Sequence, residues 1–365
     1  MAAARSGALS TVVLADPDTS LMQGRWVKLI AGASNQDLPA IEDLAGLYGL
    51  AGIDCIDVAA DPAVVAAARR GLAWAAARMG RTPWLMVSLS DGDDPHFRKA
   101  WFDPRRCPPG CPRPCARVCP AAAIGPAGAS DAGVLADRCY GCGRCRPACP
   151  LGLIEERSQV LHPAAVAPLL QQLAPDAVEL HTRLERSAPF RERLRQVIAA
   201  GVPLRRVAVS CGLEGGASPG APAPSPERLA ATFWSCFADL RRAGLRPLWQ
   251  LDGRPMSGDV GAGTAHAAVR LFQRVAALAP PGPLQLAGGT NAHTLELLRR
   301  ARAAAPLPAC AGVAFGSVAR ARLQPWLARA QERGVSLLAA ADLWPEALRE
   351  ARALVQPWRS AGART

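Results

Sequence analysis

Eight apolar runs of strand character alternate with helical stretches along the chain, which predicts an α/β fold of the (β/α)8, TIM-like barrel class. Two further observations support a closed barrel. The runs are apolar almost throughout, as strands buried on both faces are. No G-x-G-x-x-G fingerprint follows the first run, which tells against an open doubly wound sheet. A cysteine-dense stretch separates the third run from the fourth, so a second module is expected as an insertion after the third strand.

The elements follow in order. Residues 1–24 are rich in small side chains and read as a flexible lead-in. WVKLI (26–30) is the first strand, and a helix over 38–49 follows with Pro39 in its first turn. IDCIDV (53–58) is the second strand. Asp61 caps the next helix and Pro62 opens it, and the helix runs to Met79. WLMVSL (84–89) is the third strand. Past the cysteines, HPAAVAPLLQQL reads as helix and DAVELH (176–181) as the fourth strand. FRERLRQVIAAG is helix and RRVAVSC (205–211) the fifth strand. The Gly/Pro/Ala/Ser stretch over 212–226 has the composition of a slack linker, with a lid as the alternative. Ser225 and Pro226 open a helix to Ala243. RPLWQLD (246–252), PLQLAGG (283–289) and AGVAFGS (311–317) are strands six to eight, separated by HAAVRLFQRVAAL and TLELLRRAR, and two helical stretches close the chain. The barrel is therefore expected over 25–98 and 156–350, the inserted module over 99–155, and a C-terminal tail over 351–365.

Eight of the twelve cysteines lie in the insertion. Cys139, Cys142, Cys145 and Cys149 stand as C-x2-C-x2-C-x3-C-P, the bacterial iron–sulfur run in which the fourth cysteine ligates the other cluster. A cubane needs one thiolate per iron on all sides of a compact core. Three closely spaced cysteines let a tight loop cover three corners, and Gly141 and Gly143 permit the backbone angles of such a wrap. The fourth corner comes from the other run. Cys139, Cys142 and Cys145 are therefore paired with Cys119, and Cys107, Cys111 and Cys115 with Cys149. The first run departs from the usual spacing, being C-x3-C-x3-C-x3-C-P. The expected module is ferredoxin-like and holds two [4Fe-4S] clusters. Structural zinc fits poorly, because zinc sites set two C-x2-C pairs a dozen or more residues apart. A disulfide framework fits less well still, since a chain of 365 residues needs no staples.

The formal charge of +12 invites a nucleic-acid reading. Against it stand few aromatics, no RNA-binding signature, no helix-turn-helix signal, and basic residues that are arginines apart from Lys28 and Lys99. Nine basic and three acidic residues lie between Arg98 and Arg146. They compensate anionic clusters, or they steer an acidic redox partner to the module. No apolar stretch reaches the length of a membrane span and no persuasive leader precedes the first strand, so a cytoplasmic protein is expected.

In a barrel the insertion and the strand ends share one face, the catalytic face of this architecture. Polar residues gather at those ends: Ser34 and Asn35, Asp57, Glu179 and His181, Ser210, then Gln250, Asp252 and Arg254. The last two strands end in Gly288, Gly289, Thr290 and Asn291 and in Gly316 and Ser317, where this fold usually holds phosphate. A phosphorylated ligand such as flavin mononucleotide is one expectation. Ordinary turn and cap residues are the other. Lys28 shares alternation with Trp26 and Ile30. Pointing inward it needs a charged partner, for which Glu179 is the candidate, and pointing outward it snorkels to solvent. Cys55, Cys211, Cys236 and Cys310 read as small core residues.

WVKLIAGASNQDLPAIEDLAGLYGLAGIDCIDVAADPAVV, the paired cysteine runs, WQLDGRPMSGDVGAGTAHAAV, QLAGGTN and AGVAFGS together resemble the light-dependent period (LdpA) family of cyanobacterial circadian-input iron–sulfur proteins. The resemblance implies a redox-active protein that reports cellular redox state, and so light, to the circadian clock, with clock and clock-input proteins as partners. The cluster cysteines carry over onto the two runs. No catalytic residue does. The other reading is an iron–sulfur oxidoreductase passing electrons from the clusters to a flavin or small acceptor in the barrel mouth, a fold-level analogy. Radical chemistry on S-adenosylmethionine ranks below both, because each cysteine run here has a fourth member.

Overall fold

The computed structural model describes residues 15–32, 37–93, 97–125, 133–213, 223–254 and 261–361. Its centre is a closed parallel barrel. The strands are β1 (Trp26–Gly32), β2 (Cys55–Ala59), β3 (Trp84–Ser90), β6 (Ala177–His181), β7 (Arg206–Gly212), β8 (Pro247–Asp252), β9 (Leu284–Ala287) and β10 (Gly312–Phe315). They pair in the order β1-β10-β9-β8-β7-β6-β3-β2, and β2 returns to β1. Between β3 and β6 the chain makes an antiparallel pair, β4 (Arg98–Trp101) with β5 (Glu155–Ser158). This pair forms the stalk of the inserted module, and its two strands were not evident in the sequence.

Helices fill the outer layer. They are α2 (Leu38–Ala51), α3 (Pro62–Met79), α6 (Pro163–Leu173), α7 (Ser187–Ala199), α8 (Pro226–Arg242), α9 (Ala265–Ala276), α10 (Thr294–Ala304), α11 (Ser317–Glu332) and α12 (Trp344–Ala361). Their starts follow local chemistry. Asp61 accepts from the N–H groups of Ala63 and Val64, and Ser225 from that of Arg228, each with proline next to open the helix. Two short helices, α4 (Pro114–Arg117) and α5 (Cys145–Ala148), lie in the module, and α1 (Pro17–Met22) precedes the barrel.

Alternation along the strands sorts the barrel interior into layers. Trp26, Cys55, Met86, Ala177, Ala208 and Leu248 form one apolar layer, and Leu21 of α1 packs into it. Two residues further along each of these strands stand Lys28, Asp57, Ser88, Glu179, Ser210 and Gln250, all buried. One position in this packing admits only glycine. Gly312 has φ of 155°, and a Cβ there would lie 2.0 Å from the Trp26 carbonyl oxygen.

The two chain ends differ from their sequence reading. Residues 17–22, read as part of a flexible lead-in, form α1. Asp18 pairs with Arg206 at 2.8 Å, and Ser20 and Leu21 are buried. Residues 351–361, read as a tail, complete α12. Arg359 bonds Asp54 at 2.6 Å and Ser20 at 3.1 Å. α12 also packs into the main core through Ala351, Leu354, Val355 and Trp358, a helical spacing that the sequence does carry, and Leu21 of α1 packs into the apolar barrel layer.

Asp54 is fully buried and also accepts from Arg81 and from the Val27 N–H. Removing one of two arginines from a buried carboxylate leaves part of its charge uncompensated. Arg359→Leu is expected to lower unfolding free energy by about 2–3 kcal/mol in chemical denaturation followed by tryptophan fluorescence. An unchanged midpoint would mean that the pair of Arg359 with Asp54 adds nothing to stability.

Candidate functional site

The module is built on its cysteines. Its buried cluster is small: Phe102, Cys115, Ile124, Cys145 and Ile154, with Cys107, Cys119 and Cys149 packed against it. Each cysteine run folds into one short helix, and Cys115 and Cys145 sit in α4 and α5 with their side chains buried. Gly141 and Gly143 take φ of 79° and 77°, the left-handed angles a wrap between Cys139 and Cys145 demands. Among the described residues every cysteine is a free thiol.

The thiols fall into two groups. Cys119, Cys139, Cys142 and Cys145 together line one small cavity. Burial first, then the negative charge of Cys139, Cys142 and Cys119 as thiolates, pushes the Cys145 thiol up to about 12. Burial also raises Cys115, whose charged neighbours include Cys149 and Cys107. Cys111 is half-exposed, in a turn closed by its own N–H on the Pro108 carbonyl. Cys119 Sγ accepts from the Ala123 N–H at 3.3 Å. Thiols crowded this way resist ionisation together unless a cationic core stands among them. The donor set is soft, fourfold and compact, which fits iron–sulfur chemistry.

The thiol loop is tied to the barrel. Tyr140, between Cys139 and Cys142, is buried in the main hydrophobic core. Arg144 pairs with Asp37 at the start of α2.

Inside the barrel, the polar layer forms one connected network. Lys28 Nζ donates to Asp57 at 3.2 Å and also to Glu179. Ser88 donates to Asp57 at 2.5 Å. Gln250 Nε2 donates to Glu179 at 3.1 Å, to Ser210 at 3.0 Å and to Asp252 at 3.2 Å. Gln285 donates to Gln250 at 2.5 Å and accepts from Trp26 Nε1 at 2.6 Å. His181 Nε2 lies 3.0 Å from Glu179, and Phe97 meets the imidazole edge-on at 5.5 Å. Burial disfavours the Lys28 ammonium, but Asp57 and Glu179 outweigh it and keep Lys28 charged. Glu179 is held below the usual carboxylate range despite its burial, by Lys28 and His181. Burial raises Asp57 to about 6. Oxygen and nitrogen atoms of Asp57, Glu179 and His181 lie within 4.8 Å of one another. The Lys28 ammonium already serves as the cation among them.

The residues read from the sequence as ligand-binding thus divide. Lys28, Glu179 and Asp252 join one network. Gly288, Gly289, Thr290 and Asn291 form a separate turn closed by its own contacts. A Cβ on Gly288 would lie 2.6 Å from the Arg254 carbonyl oxygen, and one on Gly289 would lie 2.8 Å from that of Thr264. Thr290 Oγ1 bonds the Ala314 carbonyl at 2.5 Å, and Asn291 donates to the Gly261 carbonyl at 3.0 Å. Gly316 and Ser317 begin α11, where Arg320 bridges Ser317 and the Ile30 carbonyl. Asn35 and Ser34 lie outside the described residues, as does most of the 212–226 stretch. Ser88, Gln285 and Tyr140 belong to the site but escaped the sequence reading. For Ser88 and Gln285 the available signal was a polar residue on the inward phase of an apolar strand.

Comparison with known proteins agrees with these features. The model of the LdpA Fe-S cluster-binding domain matches residues 107–160, and that of the light dependent period A C-terminal domain matches residues 169–357. "Light dependent period A" of Synechococcus elongatus is 46% identical over 348 residues, covering 94% of each chain. Among solved structures, (S)-3-O-geranylgeranylglyceryl phosphate synthase of Thermoplasma acidophilum aligns with a TM-score of 0.41 and 11% identity, over 94% of this chain and 98% of that one. The YdjI aldolase of Escherichia coli K12 aligns with 0.42 and 8%, over 94% and 92%. Both likenesses are loose, and the closed barrel stands on the strand register instead. Among the described residues no helix is long and apolar enough to cross a membrane.

Two outcomes test the polar layer. Lys28→Met leaves Asp57 and Glu179 without their cation and is expected to cost about 3–5 kcal/mol of stability, partly restored by adding Glu179→Gln. A loss under 1 kcal/mol, on the order of an exposed pair, would contradict the charge balance. The raised Asp57 carboxyl stabilises the fold below its unfolded value near 4, and that contribution is lost as pH rises toward about 6. Glu179, held low, contributes in the opposite sense, its share present above the unfolded value near 4 and lost as pH falls toward about 2. Asp57→Asn should therefore abolish the decline in stability between about pH 4 and 6 in denaturation series. A decline that persists in the variant would place its source elsewhere.

Proposed function

The chain belongs to the light dependent period A family, and from that premise we propose that it is a redox-reporting protein whose two [4Fe-4S] clusters signal cellular redox state to the circadian clock. The observation that carries this reading is the division of the thiols into two interleaved groups. Cys119 joins Cys139, Cys142 and Cys145 around one cavity, and Cys149 lies by Cys115 and Cys107. Cys119, Cys139, Cys142 and Cys145 hold one cluster. Cys107, Cys111, Cys115 and Cys149 hold the other. When bound, the clusters supply one-electron storage with potentials tuned by hydrogen bonds and burial. The chain's own residues set that tuning. The Ala123 N–H donates to the Cys119 sulfur, and Arg113 and Arg144 place positive charge beside the thiols.

The signal leaves through contact with other proteins. Clock and clock-input proteins are the partners that the resemblance to the family implies. The arginine-rich module offers a basic face for an acidic one. Arg105, Arg144 and Arg146 are well exposed there. A change of cluster charge next to that face alters the field a docked partner meets.

Anaerobic purification with iron and acid-labile sulfide quantified is expected to yield about eight of each per chain. Cys142→Ala should lose about half of both while the barrel stays folded. Zinc in place of iron, or full iron content in Cys142→Ala, would overturn the assignment. The signalling reading predicts that immobilised protein, poised reduced or oxidised, captures clock components with different affinity. Equal capture in the two states would contradict it.

A further inference from the structure

The barrel meets the thiol loop beside Cys142. The Cys142 side chain packs against the barrel's main core, in which Tyr140 is buried. Cys107, Cys119 and Cys149 pack against the module's own small cluster instead. Next to this contact stands the ion pair of Arg144 with Asp37. Asp37 immediately precedes α2, and its carbonyl accepts the Ile41 N–H at 2.9 Å, a bond of the first helical turn.

The Asp37 side chain does not serve its own helix. An aspartate in that place ordinarily caps the free N–H groups, but this carboxylate bonds none of them. One oxygen accepts from Arg144. The other is buried and finds no donor among the described residues. Such an oxygen costs stability that a capping bond would have avoided. The carboxylate is committed to the module, and Arg144 is the cation that offsets it.

Both charges act on the cluster ligand. Burial raises the Cys142 thiol, the Arg144 backbone N–H and guanidinium draw it down, and the Asp37 carboxylate pushes it up. An anionic cluster held by Cys142 meets the same two charges with the same signs. Cluster potentials follow net charge and hydrogen bonding around the sulfurs. Arg144 shares a loop with Cys142 and stays near it wherever the loop goes. Asp37 comes near only when the loop is seated on the barrel. Cys115, in the other group, has module residues as charged neighbours, Cys149, Arg113 and Cys107.

We propose that the seat of Arg144 on Asp37 is a redox-linked contact: an electron in the cluster at Cys142 loosens the thiol loop from the start of α2. The proposal rests on the cluster reading above and names the place where the barrel reads the cluster. The step is the entry of one electron from a one-electron donor protein into the cluster, with no bond to the chain made or broken. It adds one negative charge beside Cys142, and that charge repels Asp37. Linkage makes the effect reciprocal. Whatever factor seating takes from the cluster's electron affinity, reduction takes from seating.

The test is a redox titration of anaerobic, cluster-loaded protein followed by electron paramagnetic resonance, with iron and sulfide assayed in the same samples. Asp37→Asn is expected to favour reduction of the Cys142 cluster at least about threefold, a rise of roughly 28 mV at about 59 mV per tenfold. Arg144→Gln is expected to lower the same potential by a similar amount. The double variant removes both charges and is expected to return close to the wild-type value, which a merely distorted loop does not do. The potential of the other cluster stays where it was. Amide exchange over the first turn of α2, read by mass spectrometry, is expected to be faster in the reduced than in the oxidised wild type and equal in the two states of Asp37→Asn. Unmoved potentials, shifts of one sign in both single variants, or exchange that ignores redox state in the wild type would overturn the proposal. Absent iron in the wild type would instead overturn the cluster reading.

Discussion

The inserted module depends on its thiols, because it has little else. About fifty residues separate β4 from β5, and their buried apolar cluster is a handful of side chains of which two are cysteines. A segment of that size does not bury enough surface to order itself without a staple or a metal. Four thiols around one small cavity repel one another as thiolates, and that repulsion makes the arrangement costly until a cationic core is bound. Binding and folding are then one event. Tyr140 and Arg144 pass the resulting order to the barrel, one through the main core and the other through Asp37.

The barrel answers a different constraint. Its interior carries an apolar layer below and a polar layer two residues above, and the polar layer is buried. A lysine and two carboxylates there are tolerable because the ammonium and each carboxylate oxygen find a partner. Gln250 and Gln285 extend the bonding across three further strands, so the charges are held in a fixed lattice. The network reaches the residue that leads into the module stalk through the edge contact of His181 with Phe97.

Much of this was legible in the sequence. The C-x2-C-x2-C-x3-C-P run predicts a metal module, because the spacing itself is the ligand geometry. The strand–helix rhythm predicts the barrel, and the phase of Lys28 against Trp26 leaves two readings, an inward lysine with Glu179 across from it and a lysine that snorkels to solvent, of which the first is the one observed. Other features were hidden for physical reasons. α1 is six residues long, too short to show a period, and the ion pair of Arg359 with Asp54 joins positions 305 residues apart. Tyr140 is one aromatic among cysteines, and only the fold shows that it packs into the core of the barrel. The Gly288–Gly289 turn is the instructive case. Glycine there permits close approach, but the group that approaches is the backbone of Arg254 and Thr264. An anion-binding turn and a tightly packed turn carry the same residues.

The central claim is that the two cysteine runs exchange their fourth ligands. Electron paramagnetic resonance of the reduced protein tests it most directly, comparing Cys119→Ala with Cys142→Ala and Cys115→Ala. If Cys119 completes the group of Cys139, Cys142 and Cys145, its variant alters the same signal that Cys142→Ala alters and spares the one that Cys115→Ala alters. If Cys119→Ala instead alters the signal lost in Cys115→Ala, each run holds its own cluster and the interleaved arrangement is wrong.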